Sequence, residues 1–337
     1  MVKNRYLVLI LSLMFIIFLT ACTEEGSGDI TGEANDNEGG TEDTIEAGDE
    51  DSANIAVVLK GADQEYFKLA EAGAKAAFED FEVNGKLLSA SNQTQEQELI
   101  NLLEDLSTDN PDAVVVLPST ESVVPTLEQY AEKDTPVLLI DTDLDWDKKL
   151  TYIGIDNYTA GQEGGEYLST LVSEGDEVAI IEGVSGAAQN EARVSGAKDY
   201  LEENGHDVVT VQSANFDRTE AVSVMENIMT AHPEVKGIFA ANDEMALGAS
   251  QVVETSEADV KIVGVDGTTD GLVSIADGEL DGTIKQSPYE MTYTAVEKAI
   301  DALEGEEIDE NIESGIDLIT NDNAADTLET VEEQLGK

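Results

Sequence analysis

The sequence predicts an α/β protein built from two lobes, each with a parallel β-sheet covered by helices. Short apolar runs alternate with segments of helical periodicity from residue 53 to residue 303, an order that is typical of parallel sheets. About a dozen such runs are too many for one ordinary sheet. The alternation also restarts near Ile155 and Asp156. We therefore predict two α/β lobes of similar size rather than one large domain.

The elements of the first lobe follow from apolar runs and from apolar residues at helical spacing. Leu99, Leu102, Leu103 and Leu106, for example, share one helical face. We predict strands over 53–59, 86–88, 113–117, 136–141 and 151–155, and helices over 66–81, 96–106 and 123–133.

The second lobe repeats the pattern without repeating the sequence. Asn204-Gly205 is a typical helix end, and Pro233 ends another helix. We predict strands over 178–181, 208–212, 237–241, 261–265 and 280–285, and helices over 158–171, 190–203, 218–231, 272–276 and 289–303, with a further helix that begins at Glu244.

The N-terminus predicts secretion and lipidation. Lys3 and Arg5 precede an apolar run over 7–19, which is shorter than the roughly 20 residues of a membrane-spanning helix. Leu19-Thr20-Ala21-Cys22 resembles a bacterial lipobox, so residues 1–21 are predicted to be a signal peptide and Cys22 the lipidated residue. Residues 23–52 hold 12 acidic residues and no Lys or Arg. Such a segment buries no core, and we predict that 22–52 form an acidic, disordered tether.

The charge of the chain excludes one class of partner. There are 17 basic and 73 acidic residues, and the formal net charge is -56. Nucleic acid is not expected to bind, because phosphate contacts require basic side chains. Such acidity favours solubility, and we hypothesise a salty or alkaline habitat.

Polar and aromatic side chains cluster where the predicted strands end, and ligands of α/β proteins bind at those ends. Carboxylates and amides pair with sugar hydroxyls, and aromatic faces pack on apolar C–H patches. The residues at or just after strand ends are Lys60, Gln64, Tyr66, Phe67, Asp141, Thr142, Glu191, Arg193, Phe216, Asn242, Asp266 and Gln286.

The stretch KGIFAANDEMALG, residues 236–248, contains the most informative of these ends. An apolar strand runs into Asn242-Asp243, and good helix formers follow. The polar pair either caps the helix or faces a ligand. Because Asp266, Gln286 and Phe216 occupy comparable positions, we expect Asn242 to face the ligand and Asp243 to cap the helix.

Three motifs resemble one family. The run FDRTEAVSVMENIMTAHPEVKGIFAANDEMALGA (216–249), VGVDGTTDG (263–271) and TIKQSP (283–288) are similar to the ribose-type periplasmic sugar-binding proteins of ABC importers. The similarity extends over about 53–325 and is strongest over 214–290. It implies the type I periplasmic binding protein fold, whose two Rossmann-like lobes are joined by a three-crossover hinge. The implied boundaries are 53–155 plus 287–315 for the N-terminal lobe and 156–286 plus 316–325 for the C-terminal lobe.

The resemblance also implies roles for individual residues. Asn242, Asp266, Gln286 and Asp141 match hydroxyl-binding positions. Tyr66, Phe67 and Phe216 match the aromatic residues that enclose the sugar ring, and Gln64 matches an amide just before them.

Three positions depart from the family pattern. Thr142 and Glu191 stand where ribose binders have arginines, Arg193 matches a neighbouring arginine that is not the main contact, and Lys60 replaces a small polar residue. Loss of two forked donors disfavours ribose and favours another sugar, a polyol or an amino-bearing ligand. Alternatively, Glu191 and Lys60 pair across the cleft without touching the ligand.

Other functions fit the sequence less well. No G-x-G-x-x-G, Walker or G-x-S-x-G motif is present, and no His/Cys cluster or EF-hand pattern predicts a metal. Repressors that share this fold carry a helix-turn-helix where this chain has the signal and tether. We expect no enzyme activity and no cofactor, but a monomeric lipoprotein outside the cytoplasm that delivers a small sugar or polyol to a membrane permease. A lipid-tethered sensory receptor for a chemotaxis or kinase partner is the alternative.

Overall fold

A computed structural model of the chain describes residues 40–49 and 52–337. The predicted signal peptide, Cys22 and most of the predicted tether lie outside the described residues. The strands are β1 Thr41–Glu46, β2 Asn54–Leu59, β3 Asn84–Ser89, β4 Ala113–Leu117, β5 Val137–Ile140, β6 Thr151–Gly154, β7 Glu177–Glu182, β8 Asp207–Ser213, β9 Val235–Ala240, β10 Lys261–Asp266, β11 Gly282–Lys285, β12 Asn311–Glu313 and β13 Asp317–Ile319. The helices are α1 Glu65–Asp80, α2 Glu96–Leu106, α3 Val124–Ala131, α4 Asn157–Leu171, α5 Ala188–Glu203, α6 Arg218–Ala231, α7 Asp243–Ser256, α8 Thr269–Asp277, α9 Pro288–Leu303 and α10 Ala324–Gln334, with a 3-10 turn at Glu121–Val123.

Two mostly parallel sheets form the cores of two α/β lobes, as the sequence predicts. The sheet of the first lobe has the order β1-β3-β2-β4-β5-β6-β12, and that of the second has the order β13-β11-β10-β9-β7-β8. The central strands are buried apolar runs, such as Ala113–Leu117. Antiparallel pairing is confined to the edge strands β1 and β13. Helices on both faces cover the strands, which explains why these runs are continuously apolar.

The chain passes between the sheets three times within the described residues. It leaves β6 of the first sheet for α4, which packs on β9, β10 and β11 of the second. It returns from β11 to α9, which packs on β4, β5 and β6 of the first. It crosses again between β12 and β13. The carboxyl ends of the parallel strands of both lobes therefore border one cleft.

Strand β1 corrects the prediction of a disordered tether up to residue 52. Its backbone pairs with β3, from Thr41 opposite Ser89 to Glu46 opposite Asn84. Ile45 packs against the core, and the carboxylates of Asp43 and Glu42 pair with lysines of the lobe, Lys75 and Lys86. Alternation of Ile with polar residues suits an edge strand that is covered on one side.

The C-terminal end is also more ordered than predicted. The second lobe was expected to end at 325, whereas α10 continues to Gln334 and packs on α8. Val331 of this helix is buried. The helix has few apolar residues, which weakens its periodic signal.

Candidate functional site

A cavity lies in the cleft between the lobes. It is bordered by the residues that follow β2, β5, β9, β10 and β11, and by the first turns of α1 and α5. Ligand sites of α/β proteins lie at such strand ends. The lining residues are Lys60, Gln64, Tyr66, Phe67, Gln93, Asp141, Gln189, Arg193, Phe216, Asn242, Asp266 and Gln286.

The wall from the first lobe is centred on Asp141, which follows β5. Its Oδ2 accepts hydrogen bonds from Lys60 Nζ and from Thr142 Oγ1, both at 2.8 Å. Its Oδ1 accepts a hydrogen bond from Tyr66 Oη at 2.6 Å. The side chains of Lys60 and Asp141 are each 4% exposed. This is a buried ion pair with a third hydrogen-bonded member, Tyr66.

Burial and charge act in opposite directions on this ion pair. Burial disfavours the carboxylate of Asp141, but the cations Lys60 and Arg193 and the hydrogen bonds outweigh it and hold the pKa of Asp141 below its usual value. Burial lowers the pKa of Lys60, and attraction to Asp141 offsets only part of that effect. Burial and the carboxylate together raise the pKa of Tyr66. Asp141 is therefore ionised at neutral pH, and the Tyr66 hydroxyl keeps its proton.

Three aromatic rings line the cavity. Tyr66 and Phe67 meet edge to face, with ring centroids 5.8 Å apart and an interplanar angle of 89°. Phe216 enters from the second lobe. Small residues make room for two of the rings, because a Cβ at Gly61 would lie 2.5 Å from Phe67 and one at Gly183 would lie 2.1 Å from Phe216. The rings supply apolar faces that suit the C–H patches of a sugar.

The wall from the second lobe is centred on Asp266, at the end of β10. Its Oδ1 accepts a hydrogen bond from Gln286 Nε2 at 2.7 Å and lies 3.4 Å from Arg193 Nη1. Arg193 is held by Asn157 Oδ1 at 2.7 Å and by the carbonyl of Ala241 at 3.0 Å. Burial raises the pKa of Asp266, and Arg193 only partly opposes this effect. Proton uptake by Asp266 is therefore easier than by an ordinary carboxylate.

Three residues at the cleft have a strained backbone. Asp141, Phe216 and Asp266 have φ values of 63°, 60° and 125°. Residues other than glycine seldom adopt such angles, and those that do cluster at ligand sites. The surrounding structure thus holds these three side chains in position at an energetic cost.

The pair Asn242-Asp243 has different roles from those predicted. Asn242 is the N-cap of α7, and its Oδ1 accepts a hydrogen bond from the backbone N–H of Met245 at 3.0 Å. It also borders the cavity, as expected. Asp243 is not the cap: it is fully buried and accepts hydrogen bonds from the backbone N–H groups of Gly267 and Thr268 and from Thr283 Oγ1. It fixes the turn that follows Asp266.

The cavity brings together most of the predicted ligand-binding residues. Gln64, Tyr66, Phe67, Asp141, Phe216, Asn242, Asp266 and Gln286 all border it. Thr142 and Glu191 do not. Thr142 is buried behind Asp141 and accepts a hydrogen bond from Lys60 Nζ at 3.0 Å. Glu191 is exposed.

Glu191 lies on the side of α5 that faces away from the cavity. Arg193 borders the cavity, and Gln189 lies four residues before it on the same face of α5. Glu191 lies midway between them in sequence and therefore points to the opposite side. The suggested pairing of Glu191 with Lys60 is also wrong, because Lys60 pairs with Asp141.

Sequence reasoning did not select four of the lining residues as ligand contacts, namely Lys60, Gln93, Gln189 and Arg193. Lys60 directly follows a buried strand, and helical spacing links Gln189 to Arg193, so both signals were present. Gln93 lies in the loop between β3 and α2, where no periodic pattern marks its direction.

Other types of site were sought in the described residues. Among them, no group of three or more His, Cys, Asp or Glu residues is arranged to hold a metal ion. In the same part of the chain, none of the helices combines the length and the apolar character needed to cross a bilayer.

Comparisons with known proteins identify the family. Residues 55–307 match the periplasmic binding protein domain. The ribose import binding protein RbsB of Bacillus subtilis is 34% identical over 235 residues, which are 69% of this chain and 76% of that protein. A solute-binding protein of a carbohydrate transporter from Agrobacterium radiobacter, solved with D-arabinose, superimposes with a TM-score of 0.80 and 26% identity, covering 85% of this chain and 100% of that one.

A third comparison agrees. The solute-binding protein of an ABC transporter from Actinobacillus succinogenes, solved with D-allose, has a TM-score of 0.77 and 27% identity, and covers 81% of this chain and 99% of its own. These relatives bind solutes for transport and are not enzymes. The chain belongs to the periplasmic binding protein family and has its fold of two α/β lobes.

Proposed function

We propose that this chain is the sugar-binding component of an ABC importer, which captures one small neutral sugar in the cleft and delivers it to a membrane permease. The observation that carries the proposal is the composition of the cavity. Two buried carboxylates, Asp141 and Asp266, face it from opposite lobes together with three aromatic rings and several planar amides. Carboxylates and amides bind hydroxyl groups, and aromatic faces cover C–H groups. The cavity lies between the lobes and is lined from both of them, which suits a small ligand held on two sides.

Two cations in the cleft bear on which sugar binds. Ribose was disfavoured because Thr142 and Glu191 replace arginines. Lys60 supplies a cation beside Thr142, and Arg193 supplies a guanidinium from α5. Lys60 lies beside the ionised carboxylate of Asp141, whereas Arg193 lies beside Asp266, whose pKa burial raises to about 8, so the positive charge of Arg193 is only partly neutralised at pH 7. This excess of positive charge disfavours the amino-bearing ligand suggested earlier. The names of the relatives point to D-ribose, D-allose and D-arabinose as the first sugars to test.

The proposed mechanism is closure of the lobes on the ligand. In the closed cleft, Gln64 Nε2 of the first lobe donates a hydrogen bond to the Phe216 carbonyl of the second at 2.9 Å. The backbone N–H of Thr269 donates to Glu65 Oε1 at 2.5 Å, and Leu69 of α1 packs with the apolar core of the second lobe. A ligand that bonds to both walls shifts the population toward this form. No covalent chemistry is required.

Location and partner follow from the family and from the N-terminal sequence. The family is extracytoplasmic, and we propose that Cys22 is acylated after removal of residues 1–21, so that the tether holds the lobes at the membrane. Proteins named for import are among the relatives, which supports delivery to a permease over the sensory alternative. Mass spectrometry of Cys22 in membrane fractions tests the anchor, and an unmodified Cys22 would refute it.

Isothermal titration of the purified chain with D-ribose, D-allose and D-arabinose tests sugar binding. We expect saturable binding of at least one of them, and we expect Asp266→Ala to weaken it by about 2–4 kcal/mol, or roughly 30- to 700-fold in Kd. Asp277→Ala, which removes an exposed carboxylate at the end of α8, is the matched control. Binding of none of the three sugars would contradict the proposal, and normal affinity of Asp266→Ala would contradict the site.

A further inference from the structure

The cleft contains two buried amide oxygens without a partner in the described residues. They are Oε1 of Gln189 and Oε1 of Gln286. The two residues are 5% and 3% exposed, and both border the cavity. Buried polar atoms almost always have a hydrogen-bond partner, and exceptions mark the place of a water, an ion or a ligand. Both oxygens are acceptors, so the missing partner is a donor.

The two glutamines differ in how far the protein already uses them. Gln286 donates through Nε2 to Asp266 and thus belongs to the hydrogen-bonded wall of the second lobe. Among the described contacts, the side-chain amide of Gln189 donates no hydrogen bond, and its oxygen accepts none. No contact within the lobe explains why an amide rather than an apolar side chain is buried there. Its burial costs free energy whenever the cleft closes without a ligand.

The direction of Gln189 is set by α5. It lies in the first turn of this helix, four residues before Arg193, and both side chains border the cavity. Arg193 is fixed by Asn157 and by the Ala241 carbonyl, so this face of α5 has a defined orientation toward the cleft. An amide on that face reaches the cavity from the start of α5 rather than from the end of a strand.

We propose that Gln189 is a specificity-determining ligand contact, whose Oε1 accepts a hydrogen bond from a hydroxyl group on the edge of the sugar that faces α5. This inference rests on the proposed sugar-binding function and adds to it a requirement for one hydroxyl group. A sugar that lacks this hydroxyl leaves the amide oxygen unpaired, and the site rejects it. Sites built to bond a hydroxyl discriminate strongly in this way.

The test combines one isosteric substitution with monodeoxy sugars. Gln189→Met keeps the length of the side chain and removes the acceptor. By isothermal titration, we expect the sugar that the wild-type chain binds best, among D-ribose, D-allose and D-arabinose, to bind Gln189→Met about 5- to 100-fold more weakly. Among the monodeoxy derivatives of that sugar, we expect one to bind the wild type and Gln189→Met equally. Gln251→Met, at an exposed position of α7, is the matched control and should bind like the wild type.

A second measurement needs no ligand. Because the side chain of Gln189 makes no hydrogen bond within the described part of the protein, we expect the melting temperature of ligand-free Gln189→Met to equal that of the wild type. A lower melting temperature would show that Gln189 supports the fold and would overturn the inference. Unchanged sugar affinity, or an equal loss for every monodeoxy derivative, would also overturn it. If the wild type binds no sugar, the proposed function fails and this inference fails with it, an outcome distinct from an unaffected variant of a sugar-binding wild type.

Discussion

The ion pair of Lys60 and Asp141 predicts a large and pH-dependent effect of Lys60→Met on stability. The two charged atoms are 2.8 Å apart, and each side chain is 4% exposed. Removing the ammonium leaves Asp141 with hydrogen bonds from Tyr66 and Thr142 but without its nearest cation. Loss of one member of a buried pair costs about 3–5 kcal/mol, because the remaining charge stays buried and uncompensated. We expect the free energy of unfolding at pH 7 to fall by this amount.

The sign of the pH dependence follows from the pKa of Asp141. In the wild type it is lowered, so the carboxylate contributes stability above its unfolded pKa, and this contribution is lost as the pH falls through the lower folded value. In Lys60→Met, burial dominates and raises the pKa of Asp141, so the stability of the variant should decrease as the pH rises through that raised value. The difference between variant and wild type is therefore smallest in acid.

Urea unfolding of the ligand-free chain, followed by circular dichroism at neutral and acid pH, measures this effect. The double variant Lys60→Met/Asp141→Asn removes both charges and should recover most of the loss, since replacing a whole buried pair is often nearly neutral. Lys148→Met, which breaks an exposed pair with Glu128, is the control and should change little. An unchanged single variant at pH 7, or a double variant as unstable as the single one, would refute this account.

Three further predictions follow from the buried carboxylates and the total charge. Asp243→Ala should lose about 1–3 kcal/mol of stability and weaken sugar binding measured by titration, because the buried backbone N–H groups of Gly267 and Thr268 then have no acceptor; full affinity would exclude a positioning role. Sugar affinity of the wild type should fall as the pH decreases through the pKa of Asp266, which burial raises to about 8, whereas in Asp266→Asn the affinity should depend less on pH over the same range; parallel pH profiles would exclude this origin. Added salt should raise the thermal midpoint of a chain with net charge -56 by screening repulsion, and a maximum at low salt would contradict this.

Strand ends were the most predictable part of the site. Each of Asn242, Asp266 and Gln286 follows or ends an apolar run that could only be a buried strand, so its place at the sheet edge was fixed by chain direction. The cavity-lining residues that lie on a helix were less predictable. The predicted start of α5 at Asn190, rather than at Ala188, left Gln189 outside the helix, and its link to Arg193 was missed. Gln189 lines the cavity and Glu191, two residues later, points to the opposite side of the helix and is exposed.

Elements stabilised by distant partners were not predictable from local pattern. β1 is acidic and short, and it exists because β3 supplies backbone partners and because lysines of the lobe neutralise its carboxylates. β12 and β13 have three residues each and pair with β6 and β11. No periodicity is detectable over three residues, so such strands can only be recognised from the sheet that they join.

The distribution of charge in the cleft explains how the lobes can separate. Lys60 and Asp141 both belong to the first lobe, and Arg193 and Asp266 both belong to the second. Each buried ion pair therefore lies within one lobe, and opening breaks neither pair. Within residues 40–49 and 52–337, the ion pair that joins the lobes is that of Lys337 with Glu65, and it is partly exposed, so its loss costs little. Opening therefore breaks two interlobe hydrogen bonds and the apolar contact of Leu69, but neither buried ion pair. In the closed form, the unpaired oxygens of Gln189 and Gln286 are costly unless a ligand donates to them. Because the buried ion pairs survive opening and the amide oxygens lack partners in an empty closed cleft, closure depends on the ligand.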